Sequence, residues 1–109
     1  MSELVLAIVR NRRFGDTTLK FLLERLAWEA REDGSQIAVS VDALAEDLDL
    51  SDKTIRRAIR KAEKLGLLRL VDRERGRWPR LYRLDVPYLR TCPLTNVGGR
   101  REEQRGAMP

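Results

Sequence analysis

Apolar residues recur at helical spacing in the stretch that follows Asp16. They occupy positions i, i+3, i+4, i+7, i+8 and i+11 of a single stripe: Leu19, Leu22, Leu23, Leu26, Ala27 and Ala30. This period predicts an amphipathic helix with one buried face, and Asp16 is a good N-cap residue for it. Phe21 and Trp28 lie off the stripe, and we favour packing in the core for them over contact with a partner chain.

Two further helical patterns are separated by a three-residue break. Ser40 is expected to cap a short helix over residues 41–48, and Ser51 a second helix that runs to about Leu65. The second helix is expected to turn five apolar side chains inward: Ile55, Ala58, Ile59, Ala62 and Leu65. Gly66 follows as a suitable C′ residue, because glycine adopts the left-handed conformation that ends many helices. A helix, a tight break and a second helix predict a helix-turn-helix.

Strand patterns flank this helix pair. Gln36–Val39 is a brief β-branched run, while Leu67–Val71 and Arg80–Asp85 alternate in polarity around a charged, glycine-containing turn at 72–77. Two such strands around a polar turn predict a β-hairpin with a projecting tip. The predicted fold class is therefore mainly α with a small β-hairpin wing (α+β).

The chain length of 109 residues favours one domain. We place that domain at 16–92, with an apolar segment at 1–15 packed on it and a flexible tail at 93–109. Periodicity cannot decide between a strand and a short helix for Leu4–Val9, and we expect an extended segment. Val86–Leu94 contains two prolines and should be irregular or packed against the body.

Residue usage gives little support to an enzyme. Histidine is absent, which removes the commonest general base and metal ligand. Cys92 is the one cysteine and is expected to be a passive thiol. No spacing suggests a metal site or a phosphate-binding loop, so we expect no catalytic residues, no cofactor, no metal and no small-molecule substrate.

No apolar run approaches the roughly 20 residues that a membrane-spanning helix requires. We therefore expect a cytoplasmic protein with no membrane partner. The net charge of +5 and sequence pI of about 10.0 suit a nucleic-acid partner, provided that the charge is concentrated on one surface.

The second helix of the pair concentrates that charge. Its predicted exposed positions are Lys53, Thr54, Arg56, Arg57, Arg60, Lys61 and Lys64. Six of these seven are basic, whereas a solvated helix face normally mixes charges that support each other. The neighbouring cations repel each other, and phosphates would relieve that repulsion. The pattern therefore predicts that this helix binds double-stranded DNA.

Position along the helix suggests separate roles. Arg56 and Arg57 are expected to contact base edges in the major groove, together with Lys53 and Thr54 in the first turn. Ser51 should cap the helix and leave nearby backbone amides for a phosphate. The later positions are expected to contact the DNA backbone: Arg60, Lys61 and Lys64. The hairpin adds further arginines beside the minor groove: Arg73, Arg75, Arg77 and Arg80.

Residues Ala43–Leu68 resemble the winged helix-turn-helix domains of phage and plasmid replication-initiation proteins, and are similar to the GntR and MarR classes of bacterial regulator. The shared features are Leu44-Ala45, Leu50-Ser51, Thr54-Ile55, Arg57-Ala58-Ile59 and Leu65-Gly66-Leu67-Leu68, followed by Tyr82-Arg83-Leu84. The resemblance covers about residues 16–86 and implies a DNA-binding fold. Asp49 and Asp52 depart from the pattern, since many relatives are neutral or basic there.

Three functions remain open from the sequence. We favour a transcriptional regulator of phage, mobile-element or bacterial origin, over an origin-binding module of a replication-initiation protein. The third possible function is that of a winged helix used for protein interaction. RNA is a poorer partner, because the A-form major groove excludes a helix. The protein is expected to be a monomer or a weak homodimer, with Phe21, Trp28 and Leu4–Val9 as the contact surface.

Overall fold

The computed structural model describes residues 2–72 and 80–94. In chain order the elements are α1 (Glu3–Arg10), α2 (Thr17–Glu29), β1 (Ile37–Val39), α3 (Val41–Leu48), α4 (Asp52–Lys64), β2 (Leu68–Asp72), β3 (Arg80–Leu84) and α5 (Val86–Leu89). The predicted fold class, mainly helical with a small antiparallel sheet, is confirmed. Within these ranges, no helix has the length and apolarity needed to cross a membrane. The tip at 73–77 and the tail from residue 95 lie outside the described residues.

The apolar segment near the N-terminus is a helix, so the expectation of an extended segment at Leu4–Val9 is wrong. The Ser2 hydroxyl caps α1 by accepting the Val5 N–H at 3.1 Å. One face of α1 is buried against α2 and carries Val5, Ile8 and Val9. The residues between them are also apolar, which hides the i, i+3, i+4 period in the sequence. Packing on α2, rather than local pattern, therefore selects the helix.

The core lies between α2, α4 and the sheet. All six stripe residues are buried, five in α2 and Ala30 at its C-cap, as are Ile55, Ala58, Ile59 and Ala62 of α4. Leu65 is 45% exposed, against expectation, because it is the C-cap residue where the chain leaves the helix. The prediction that Phe21 and Trp28 pack in the core is also wrong: they are 53% and 43% exposed. The aliphatic stripe already fills the inner face of α2, and α1 leaves its outer face open.

The three strands form one antiparallel sheet in the order β1-β3-β2. Ile37 pairs with Tyr82 and Leu68 with Leu84, so that the inward residues of all three strands share the face that packs on the helices. A register shift between Leu70 and Asp72 interrupts the β2–β3 ladder. The short strand β1 thus joins the wing to the helical body.

The region after β3 begins with a one-turn helix. Asp85 caps α5 by accepting the Tyr88 N–H at 3.0 Å, and Val86 and Leu89 are buried. Of the two alternatives expected for Val86–Leu94, irregular chain or packing against the body, the structure shows packing, with a helical turn at Val86–Leu89. The Arg12 guanidinium donates to the Leu89 carbonyl at 2.9 Å. This contact ties the segment before α2 to the end of the domain.

Gly34 allows β3 to approach the turn that precedes β1. Its φ is +87°, and its carbonyl accepts the Leu84 N–H at 2.8 Å. A Cβ at this position would collide with the Leu84 carbonyl oxygen and meet the Val86 side chain at 2.8 Å. Both the backbone conformation and the close contact therefore require glycine.

We expect Gly34→Ala to destabilise the fold more than Gly15→Ala, which is a matched control. Gly15 also has a positive φ, +73°, but nothing lies within 4 Å of its Cβ position. Gly15→Ala should therefore lower the free energy of unfolding only by the cost of placing alanine in the left-handed conformation, about 1–2 kcal/mol. Gly34→Ala should lose a further ~1–3 kcal/mol through overpacking. Urea denaturation measures both free energies of unfolding, and equal losses would contradict the proposed close approach.

Candidate nucleic-acid interface

The start of α4 is fixed by side-chain capping, as predicted for Ser51. Its hydroxyl accepts the Thr54 N–H at 3.1 Å and lies 2.9 Å from the Thr54 hydroxyl. Asp49 adopts the left-handed conformation with φ of 58°, and the Leu50 N–H donates to the Ala45 carbonyl at 3.0 Å. Aspartate tolerates that conformation better than most residues. The turn between α3 and α4 is therefore tight, and the Thr54 hydroxyl is already engaged at the cap.

The outer face of α4 carries a central row of four cations: Lys53, Arg57, Arg60 and Lys64. Their spacing of i, i+4, i+7 and i+11 places them along one side of the helix, opposite the buried residues. All four are exposed, and within residues 2–72 and 80–94 none of them forms an ion pair. A row of like charges at this spacing destabilises an isolated helix, whereas a polyanion alongside it would remove the repulsion.

One edge of this row faces the sheet. Arg56 and Arg60 border a cavity of about 110 Å³ that is also lined by Arg80 and Tyr82 of β3. Arg80 pairs with Val39 at the start of β3 and is partly buried. The fold thus brings together two arginines of α4 and one of the four predicted wing arginines. The other three lie outside the described residues: Arg73, Arg75 and Arg77.

The opposite edge of the row faces the start of α2. Lys61 donates to Asp16 Oδ2 at 2.6 Å, although the two residues lie 45 positions apart. The hydrogen bond from Lys61, followed by the one from the Leu19 backbone, lowers the pKa of Asp16 below its ordinary value. Asp16 is therefore charged at neutral pH, and the pair stabilises the fold until acid protonates the carboxylate.

Three acidic side chains of α2 and α3 lie beside arginines away from α4. Arg25 of α2 binds Glu29 at 2.6 Å and Asp47 of α3 at 2.8 Å. Arg10 of α1 lies 4.0 Å from Glu24. The surface formed by α1, α2 and α3 thus mixes charges, whereas the outer face of α4 remains strongly basic. This asymmetry is what an electrostatic DNA-binding surface requires.

Sequence reasoning missed two features near the interface. It identified Asp16 only as a cap, because no local pattern pairs it with Lys61. The alternating polarity of Leu67–Val71 and Arg80–Asp85 indicated that Arg69 and Arg83 are exposed, but not that they lie directly opposite each other in β2 and β3. Arg83 also donates to the Asp33 carbonyl at 3.4 Å. Strand alternation signalled their exposure, and only the register places the two charges side by side.

The described residues offer little for other chemistry. No group of three or more histidine, cysteine, aspartate or glutamate side chains is placed to hold a metal ion in residues 2–72 and 80–94. Burial raises the pKa of the Cys92 thiol, and its sulfur lies 3.6 Å from the Tyr88 carbonyl oxygen. The thiolate is disfavoured there, which agrees with a passive role for this cysteine.

Comparison with known proteins also points to a DNA-binding fold. Residues 17–68 match the family model described as a helix-turn-helix domain, which begins at α2 and ends at the first residue of β2. No curated protein and no solved structure matches the chain. The match confirms the resemblance inferred from the sequence at the level of the domain. Residues 17–68 therefore form a helix-turn-helix domain, a DNA-binding fold, and the antiparallel β2–β3 pair that follows α4 gives it the winged form.

Proposed function

We propose that the protein is a sequence-specific binder of double-stranded DNA and that α4 enters the major groove. The observation that carries this proposal is the exposed row of Lys53, Arg57, Arg60 and Lys64, none of which forms an ion pair with another residue in 2–72 and 80–94. The major groove is about 12 Å wide, enough to admit a helix, and each base pair displays a distinct pattern of donors and acceptors there. The row supplies the charge for the phosphates, and its arginines supply forked donors for guanine.

The roles of individual residues follow from their position on α4. Arg57 lies in the central row near the N-terminal half of the helix, where recognition helices contact base edges. Arg56, Lys53 and Thr54 are proposed as further contacts in the same half, while Arg60 and Lys64 are proposed to bind phosphates. Ser51 holds the helix start, beside which backbone amides can meet a phosphate. The wing arginines, including Arg80, are proposed to lie along the adjacent minor groove.

The biological role we propose is transcriptional regulation in a bacterium, phage or mobile element, which places the protein in the cytoplasm. The proposed activity is binding, without catalysis. Origin binding in replication uses the same contacts, so the sequence and genomic position of the selected DNA site would decide between the two roles. A protein-interaction role predicts instead that duplex binding is weak and independent of sequence.

We also propose that the protein forms a weak homodimer through the outer face of α2. Phe21 and Trp28 line a shallow groove with Leu6 and Leu48. Val5, Ile8 and Val9 of the Leu4–Val9 segment are buried. This leaves mainly Leu4 and Leu6 of that segment for contact with a second copy.

A second copy is the occupant that suits this groove. Its lining includes Arg10 and Arg25 together with Glu24. A twofold interface buries the same surface on both subunits, so it must be self-complementary. A mixed set of charges meets that condition, whereas the cationic row of α4 would repel a second copy of itself. Dimerisation through α2 would also leave α4 exposed for DNA.

We expect Trp28→Glu to abolish self-association, because it places a charge in the apolar groove. In sedimentation over a concentration series, the apparent mass of the wild-type protein should rise while that of the variant stays monomeric. Tyr88→Glu is the matched control, since Tyr88 is an exposed aromatic of α5, 45% exposed against 43% for Trp28. It should associate like the wild type. A stable tetramer, or undiminished association of Trp28→Glu, would contradict the proposed dimer.

We expect Arg57→Ala and Lys64→Ala to weaken DNA binding in different ways. Loss of a bidentate guanine contact should cost about 1–3 kcal/mol at one base position, so Arg57→Ala should relax specificity. Loss of a phosphate contact should weaken binding to all sequences and flatten the salt slope by about 0.9. Lys64→Ala should therefore keep the preferred site.

The measurement uses a duplex selected from a random pool and a scrambled duplex of the same composition, across a salt series. Both variants remove one positive charge, so net charge cannot explain a difference between them. Alanine is also the better helix former in both cases. Identical losses on both duplexes for both variants would falsify base recognition by α4 and leave only a general affinity for polyanions.

A further inference from the structure

Asp16 is an acidic residue at the edge of the basic face of α4. Each of its carboxylate oxygens has a separate partner. Oδ1 accepts the Leu19 N–H at 3.0 Å and caps α2, while Oδ2 accepts the Lys61 ammonium at 2.6 Å. The capping bond fixes the direction of the carboxylate, so the contact with Lys61 is held by the fold rather than by two freely moving side chains.

The surroundings of this pair resemble those of a phosphate-binding site. Asp16 and Lys61 border a groove of about 170 Å³ that is also lined by Thr18, Thr54 and Arg57. Arg57 belongs to the central cationic row, and Thr18 carries a hydroxyl group suited to a phosphate oxygen, whereas the Thr54 hydroxyl is engaged by Ser51. The anion beside these groups in the protein is the Asp16 carboxylate. A DNA phosphate approaching Lys61 must displace it or accept its repulsion.

Resting on the DNA binding proposed above, we propose that Asp16 is an internal competitor of DNA phosphate for Lys61, and thereby lowers the affinity of α4 for DNA regardless of sequence. Lys61, expected from the sequence to contact phosphate, is then a residue withheld from the DNA. Weaker general binding matters because a genome offers a large excess of non-specific sites. A regulator held less tightly by those sites reaches its own site more readily.

The central test is Asp16→Asn. Asparagine caps helices about as well as aspartate, so the variant should keep the fold and lose only the charge. Freed Lys61 should add one phosphate contact, which steepens the salt slope on the scrambled duplex by about 0.9. The affinity of the variant should exceed that of the wild type, and its advantage should shrink about threefold between about 50 and 200 mM salt.

Asp85→Asn is the matched control for net charge. Asp85 also caps a helix, by accepting the Tyr88 N–H at 3.0 Å, and it forms no ion pair within the described residues. Its substitution changes the charge of the protein by the same amount, yet it should leave the salt slope close to that of the wild type. An equal effect of the two substitutions would overturn the proposal, because net charge would then explain both.

Lys61→Gln provides a second, independent test. If Lys61 is withheld from phosphate, its loss should leave the salt slope unchanged, although the uncovered Asp16 charge should lower affinity. The double variant Asp16→Asn with Lys61→Gln should return to wild-type affinity. A slope flattened by about 0.9 in Lys61→Gln would overturn the proposal, because Lys61 would then already contact a phosphate.

These outcomes separate this proposal from the proposed function. The scrambled duplex serves only as a polyanion, so the comparison of slopes does not depend on recognition of bases. Equal binding of the wild type to selected and scrambled duplexes would contradict sequence specificity and leave the Asp16 test intact. Sequence-specific binding by the wild type, combined with an unchanged salt slope in Asp16→Asn, would support the proposed function and contradict the role of Asp16. Absence of duplex binding by the wild type at low salt would overturn both.

Discussion

The packing of α4 on the body of the domain is the constraint on which the remaining features depend. Four small or β-branched side chains form its buried stripe: Ile55, Ala58, Ile59 and Ala62. As an isolated segment α4 would form an unstable helix, because its neighbouring cations repel each other. Burial of the stripe, at about 25 cal/mol for each Å² of apolar surface, offsets this repulsion and directs the central cationic row to the opposite side. The stability of the core is thereby what keeps the cationic row exposed.

The surrounding elements hold α4 from several directions. The helix α2 packs on it along the aliphatic stripe, α3 meets it through the tight turn at Asp49, and β2 continues from its C-terminal end. The Lys61–Asp16 ion pair adds a polar contact at the edge. An exposed ion pair adds little stability in general. The Lys61–Asp16 pair matters mainly because it places a negative charge at the edge of α4. In the proposal above, that carboxylate reduces the positive charge available to DNA on one side of the helix.

The two polar surfaces of the domain differ in a way that separates two kinds of contact. Arg25 of α2 binds the carboxylates of Glu29 and Asp47, and Arg10 of α1 lies 4.0 Å from Glu24. In the part of the chain that the structure describes, the side chains of the central row on α4 form no ion pair. A neutralised, partly apolar surface around Phe21 and Trp28 suits contact with another protein molecule, whereas an uncompensated cationic row suits a phosphate backbone. The DNA contact and the self-association proposed for this protein therefore use separate surfaces.

The sequence by itself determined the elements whose periodicity and caps agree. The stripe from Leu19 to Ala30, the caps Ser40 and Ser51, and Gly66 with its φ of 82° each specify local structure with a clear physical signal. The basic face of α4 was predictable for the same reason, because helical spacing assigns the cations to one side once the apolar stripe is known.

Only the tertiary structure decided the features that depend on neighbours distant in the chain. Leu4–Val9 is apolar at every position, so its helix is selected by packing on α2 rather than by its pattern. Phe21 and Trp28 are exposed because smaller residues already fill the core beneath them. The pairings of Asp16 with Lys61 and of Arg69 with Arg83 join residues from separate elements. Local periodicity specifies which face of an element is buried, whereas the partners of an exposed charge are fixed only when the elements pack together.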